Sequence, residues 1–203
     1  MRPTEKYAAP TWNQTYRMML RLAQRINADG FRPDTIVAVE RGGLIPARIL
    51  SDLFENPNLV TLRIECYVGA HQTKPTPILK KQLSECVRGK RVLLVDDIAD
   101  TGKSLKLAKE HVEESGAKEV RVATLFRKSW SIMSPDYCAK ETSSWVVFPW
   151  DIKETVREAF ESRGNTSVTE LSEKLKEEGL PKRLVDRFLK QITGKSHAET
   201  PRR

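Results

Sequence analysis

Residues 92–104 read Val92-Leu93-Leu94-Val95-Asp96-Asp97-Ile98-Ala99-Asp100-Thr101-Gly102-Lys103-Ser104. Four apolar residues in a row carry the chain through the middle of a sheet. Two adjacent carboxylates then emerge at the strand's carboxyl end, where open α/β sheets bind their ligands. A short glycine-containing turn follows and opens a helix. Backbone N–H groups, the Thr101 and Ser104 hydroxyls and the helix dipole together form a cradle for a phosphate. An acidic pair beside it suits a vicinal diol or a hydrated magnesium ion. A phosphate cradle next to a diol-binding pair describes a ribose 5-phosphate site. Gly102-Lys103-Ser104 also spells the end of a nucleotide-binding P-loop. That motif needs a glycine five residues before Gly102, and Asp97 stands there; its charge would repel a nucleotide's phosphates.

Working outward, strands and helices alternate. Thr35–Glu40 (TIVAVE) is a β-branched run and predicts a buried strand. Arg41-Gly42-Gly43 turns the chain into a helix over Leu44–Phe54. Val60–Glu65 alternates apolar and polar, as a half-exposed strand does. Cys66–Lys81, with Gly69, Pro75 and Pro77, reads as a long loop of the kind that serves as a lid. Arg91–Asp96 is a central strand and Gly102–Ser115 a helix. Glu119–Phe126 and Trp145–Phe148 read as further strands. The alternation predicts a doubly wound parallel α/β sheet flanked by helices.

At the amino end, Thr11 and Gln14 form a capping box for a helix bearing Tyr16, Met19, Leu20, Ala23 and Ile26. After Asp151 the character changes. Lys153–Phe160 reads as helical, and Ser162–Asn165 as a linker. Ser167 and Glu170 form a second capping box ahead of Leu171 and Leu175. Beyond Gly179, Pro181 opens a helix bearing Leu184, Val185, Phe188, Leu189 and Ile192. Two such short amphipathic helices need a surface to pack on: the main domain, a second subunit or another partner. Gly194–Arg203 reads as a frayed tail. The division expected is a core domain over residues 1–151 and a helical extension with tail over 152–203.

The 203 residues are 39% hydrophobic and 31% charged, a globular balance that excludes a disordered or collagen-like chain. With Lys plus Arg at 35 and Asp plus Glu at 27, the net charge is +8, which suits an anionic partner, whether nucleic acid or a phosphorylated small molecule. No apolar stretch reaches the length of a bilayer span. The first residues do not read as a secretory signal. Cys66, Cys86 and Cys138 are odd in number and widely spaced, which argues against a zinc site or disulfide framework and for a reducing cytoplasm.

The stretch 92–104 resembles the phosphoribosyl-pyrophosphate (PRPP) signature of the type I phosphoribosyltransferases. Val39-Glu40-Arg41-Gly42-Gly43-Leu44-Ile45-Pro46-Ala47-Arg48 is similar to that family's pyrophosphate loop, in which a non-proline cis peptide presents backbone N–H groups to the diphosphate. By position the cis bond would join Arg41 and Gly42. Phe126-Arg127-Lys128 and Trp145-Val146-Val147-Phe148-Pro149-Trp150-Asp151 resemble the base-recognition elements of the 6-oxopurine branch, especially the xanthine–guanine enzymes.

The resemblance implies a type I phosphoribosyltransferase-like parallel sheet with a small hood and a C-terminal helical extension. It implies that Asp96 and Asp97 hold the ribose hydroxyls and magnesium, directly or through water. Asp100, Thr101, Gly102, Lys103 and Ser104 would bind the 5-phosphate, and Arg41 and Gly42 the pyrophosphate. Lys128 would donate to the purine O6, which opposes the amino group of adenine. Trp145 would stack on the ring, the main chain near Val146 and Asp151 would read its other edge, and Trp150 is left as a core aromatic. Asp100 would also take the N7 proton.

The partners implied are PRPP, a 6-oxopurine base and a second copy of the chain in a homodimer or homotetramer, with no membrane and no nucleic acid. Asp96 departs from the glutamate that many 6-oxopurine members carry. The rival readings are a PRPP-sensing, nucleic-acid-binding regulator on the same fold and a transferase for another base. Lys182, Arg183, Arg187 and Lys190 favour the regulator; the interspersed Glu177, Glu178 and Asp186 argue for a solvated face instead.

Overall fold

The computed structural model describes residues 7–56, 58–67 and 76–196. The chain divides into two compact units, Thr15–Ser143 and Met1–Gln14 with Ser144–Arg203. Helix α1 spans Trp12–Ala28 and is capped as its sequence predicts: Gln14 donates its amide to Thr11 Oγ1, and Gln14 Oε1 accepts from Thr11 N.

The larger unit is built on six strands: β1 (Thr35–Glu40), β2 (Leu59–Tyr67), β3 (Thr76–Lys81), β4 (Arg91–Ala99), β5 (Glu119–Arg127) and β6 (Tyr137–Glu141). Helices α2 (Leu44–Leu53) and α3 (Lys103–Glu114) follow β1 and β4. The strand order is β3-β2-β1-β4-β5-β6, all neighbours parallel except β2 and β3. In register, Ile36 lies opposite Leu93 and Leu94 opposite Val122. Ile36, Val37, Leu93 and Leu94 are all fully buried, as a parallel sheet covered on both faces requires. On one face Val37, Val39 and Leu94 pack with Leu105, Ala108 and Val112 of α3. At the strands' starting edge, Asp34 accepts from the Arg91 amide and guanidinium, which holds its carboxyl down at about 2.

Several expectations need correction. The long loop over Cys66–Lys81 is mostly strand at its ends: β2 runs on to Tyr67, and β3 returns antiparallel beside it, Tyr67 opposite Thr76. Pro77 hid β3 in the sequence, but an edge strand tolerates the missing N–H. The remainder of the expected lid, residues 68–75, lies outside the described residues. β4 runs three residues beyond Asp96, to Ala99. Trp145–Phe148 is no strand; its one ladder contact is a parallel bridge from Val146 to Ala8. The sixth strand is Tyr137–Glu141, too short and too mixed to show in the pattern. The helix expected to fray at Gly194 continues to Ser196.

The smaller unit holds α4 (Ile152–Glu161), α5 (Val168–Glu177) and α6 (Lys182–Ser196). The Ser167–Glu170 capping box opens α5 with both of its bonds made. Gly179, at φ 109°, turns the chain out of α5, and Tyr7 N donates to Glu178 O just before it. Ile152, Val156, Leu171, Leu175, Leu180, Val185 and Leu189 form one apolar cluster with Val147. The stripes of the two C-terminal helices are therefore buried against each other and against α4. Among the described residues no helix is long and apolar enough to cross a membrane.

Candidate functional site

Parallel pairing brings the carboxyl ends of β1 and β4 to the same edge, and there the strand order reverses direction. A crevice at that switch is where such sheets place ligands. A cavity of about 430 Å³ opens there, lined by residues 96–105. Asp97 is 7% exposed and its amide donates to Asp96 Oδ1 at 2.9 Å. Two carboxylates so close cannot both be comfortably ionised. Burial first, and then the charge of Asp97, push the Asp96 carboxyl well above its ordinary range, against backbone hydrogen bonds from Asp97 and Gly43 that pull it down.

The turn after β4 has the shape the sequence requires. Gly102 sits at φ 79° and caps α3 without a side-chain bond. The first amides of a helix have no intrahelical partner, so this end presents donors and the positive end of the dipole. A Cβ on Gly102 would meet Ser131 Oγ at 2.6 Å and Met133 N at 2.7 Å. The 128–133 segment is thus clamped on the turn, with Ile132 N donating to Thr101 O at 3.0 Å. Gly102→Ala must strain φ and push this clamp away. It should cost about 1–3 kcal/mol of stability, read by urea unfolding. An unchanged midpoint would show that the close packing has no consequence.

The turn after β1 abuts the acidic pair. A non-proline cis peptide is present, but it joins Glu40 to Arg41, one residue earlier than expected. Gly43 has entered the helical region as N-cap of α2 (φ −67°, ψ −15°), its amide donating to Val39 O at 2.9 Å. A Cβ on Gly42 would fall on the Asp97 carboxylate, 2.6 Å from Oδ1, and one on Gly43 would fall 2.7 Å from Val39 O. Both glycines are needed for the close approach of this turn to β4. Arg41 is exposed beside them.

Lys128 follows the end of β5 and is only 3% exposed. Its amide donates to Ala99 O at 3.0 Å, fixing it beside the end of β4. Its Nζ lies 3.4 Å from Ser143 O and 4.9 Å from the centre of the Trp130 ring. Trp130 was not singled out by the sequence. It is 53% exposed, and its Nε1 donates to Asp100 Oδ1 at 3.2 Å. Its signal was weak: an aromatic residue two positions past Lys128, on a turn at the ligand edge of the sheet.

Asp96, Asp97, Asp100–Ser104, Arg41, Gly42 and Lys128 all belong to the larger unit. Trp145, Val146 and Asp151 belong to the smaller one. There Trp145 is exposed and its carbonyl accepts from Ala8 N at 2.8 Å. Asp151 is the N-cap of α4 and makes no side-chain cap bond; its carbonyl accepts from Thr155 N and Thr155 Oγ1. Trp150 stacks on Phe148 at 4.8 Å and lies 5.6 Å from Trp12, consistent with a core aromatic. Among the described residues no three His, Cys, Asp or Glu side chains gather as a metal cage.

The sheet order and the turns at its β1–β4 switch define an open, doubly wound α/β protein with its crevice at the carboxyl edge. Residues 11–156 match the phosphoribosyl transferase domain, and the chain belongs to that family. It is 31% identical over 157 residues to the xanthine-guanine phosphoribosyltransferase of Cereibacter sphaeroides, covering 74% of this chain and 90% of the relative. It is 32% identical over 143 residues to the enzyme of that name from Nitratidesulfovibrio vulgaris, covering 70% and 82%. Among solved structures, the purine phosphoribosyltransferase of Pyrococcus horikoshii is 36% identical with a TM-score of 0.65, over 71% of this chain and 93% of that one. The xanthine-guanine-hypoxanthine phosphoribosyltransferase of Helicobacter pylori, 19% identical with a TM-score of 0.64 over 75% and 99%, shares the fold.

Proposed function

We propose that the protein is a purine phosphoribosyltransferase that moves ribose 5-phosphate from PRPP to N9 of a 6-oxopurine: guanine, xanthine or hypoxanthine. The observation that carries the reading is the Asp96–Asp97 pair, set against Gly42 at the β1–β4 switch and followed at once by the Gly102 turn. The pair grips the ribose hydroxyls, residues 100–104 hold the 5-phosphate, and Arg41 with the Gly42 turn receives the pyrophosphate. Lys128, a donor only, selects an oxo group at C6. Trp145, Val146 and Asp151 keep the roles that the resemblance gives them.

N9 attacks C1 of the pentose as the bond from C1 to the pyrophosphate oxygen breaks, and pyrophosphate leaves with the electron pair. Asp100 takes the proton from N7. This chain's part is to orient the two reactants, exclude water and stabilise the developing charges. Asp96 and Asp97 would hold magnesium, directly or through water: among the described residues no third ligand gathers beside them, which suits a hydrated cation, and when bound it would supply positive charge beside the pyrophosphate. We place the enzyme in the cytoplasm as a homodimer or homotetramer, with residues 1–151 as core and hood and 152–203 as an extension.

The test is one assay panel of PRPP, magnesium and each base in turn. Nucleotide should form with at least one of the three 6-oxopurines and not with adenine. Adenine as the preferred base would overturn the role of Lys128, and no product from any purine would overturn the whole reading.

A further inference from the structure

Lys128 and Asp100 come from different strands, yet one side chain touches both. The Trp130 ring lies over the Lys128 ammonium, 4.9 Å from centroid to Nζ, and its N–H donates to Asp100 Oδ1 at 3.2 Å. A 6-oxopurine makes the same two demands from one edge. Its O6 needs the ammonium, and the N–H at N7 of its five-membered ring needs the carboxylate. Indole is likewise a fused five- and six-membered aromatic with an N–H in the five-membered ring. Indole and base therefore compete for the same two groups.

Lys128 is 3% exposed, so a base cannot reach its ammonium unless something above it moves. Trp130 is 53% exposed, so its movement would break little packing. Behind it the chain is fixed, because Ser131 N donates to Lys128 O at 3.1 Å and Ile132 N to Thr101 O at 3.0 Å. The change this arrangement permits is a rotation of the Trp130 side chain on a stationary turn.

We propose that the Trp130 indole is an internal stand-in for the purine: it covers Lys128 and holds Asp100, and the incoming base displaces it. The proposal rests on the 6-oxopurine transferase reading above. A protein that must first shed an internal competitor binds its ligand more weakly by the fraction of molecules in which the site is free. Removing the competitor therefore tightens the base. Trp130→Ala should lower KM for the 6-oxopurine about two- to tenfold, the range expected for losing one exposed hydrogen bond and a ring contact. KM for PRPP should not follow. Trp130→Phe keeps a ring over Lys128 and loses the bond to Asp100, so its KM should fall by less.

A second measurement reads the displacement itself. In protein labelled with 5-fluorotryptophan, the Trp130 resonance is identified by its loss in Trp130→Phe. It should shift on adding the nucleoside monophosphate product and stay in place with ribose 5-phosphate alone. A base KM that is unchanged or raised in Trp130→Ala, or a resonance indifferent to the nucleotide, overturns the stand-in. Both results would be obtained with a wild-type enzyme that turns over. A wild-type enzyme that makes no nucleotide removes the parent reading, and the stand-in with it.

Discussion

Asp100→Asn should lower kcat by about 10²–10⁴-fold while the protein folds normally. Asp100 is the first residue beyond β4, and its side chain belongs to the cavity lined by residues 96–105. Asparagine has nearly the same shape, and its Oδ1 still accepts the Trp130 N–H. The local structure is kept, and what is lost is the proton acceptor of the proposed reaction. A variant with undiminished kcat on ordinary 6-oxopurines would reduce Asp100 to a residue that orients Trp130 and begins the phosphate turn.

The parts of the molecule most legible in the sequence are those whose local pattern and global role agree. Val92–Val95 had to be a central strand because four consecutive apolar residues have nowhere else to go. The acids after them had to lie at its carboxyl edge. Gly102 was readable because only glycine reaches φ 79° without strain. The Thr11–Gln14 and Ser167–Glu170 boxes were readable because each bond joins residues three apart.

What was not legible depended on distant chain. β3 exists because β2 offers it an edge, and Pro77 argues against a strand only if its N–H is needed. β6 pairs Tyr137 with Ala123, a partner fourteen residues away that no local pattern names. The cis peptide stands one residue from its expected place, in the turn that runs from Val39 to the start of α2. Trp130 was missed for the same reason. It touches both Lys128 and Asp100, and sequence spacing gives no sign that one side chain reaches both.

Asp96→Asn should move stability and binding in opposite directions. Burial and the neighbouring Asp97 raise the Asp96 carboxyl above its value in the unfolded chain. Between those two values the folded protein holds the extra proton, so stability falls as pH rises through that interval. At neutral pH, above the unfolded-chain value, that destabilisation is present. An uncharged residue of the same shape relieves it. The variant alone should melt higher than wild type at pH 7, by about 2–4 °C for each kcal/mol relieved. The two melting curves should draw together as pH falls towards the ordinary carboxylate range.

PRPP reverses the ranking. On the function proposed above, the variant lacks a charged partner for the ribose hydroxyls and the hydrated magnesium, so KM for PRPP should rise about 10- to 100-fold. A ligand that binds only the folded state stabilises it in proportion to the logarithm of its saturation. At a PRPP concentration that saturates wild type and not the variant, wild type should melt higher. Calorimetric melts at pH 7, with and without PRPP and magnesium, show whether the order crosses. A variant less stable than wild type without ligand would mean that the Asp96 charge is compensated in the folded chain. An unchanged KM would mean that the sugar is held elsewhere. Crossing is the signature of a carboxylate pair kept for its ligand at the expense of the fold, the trade expected of a binding site.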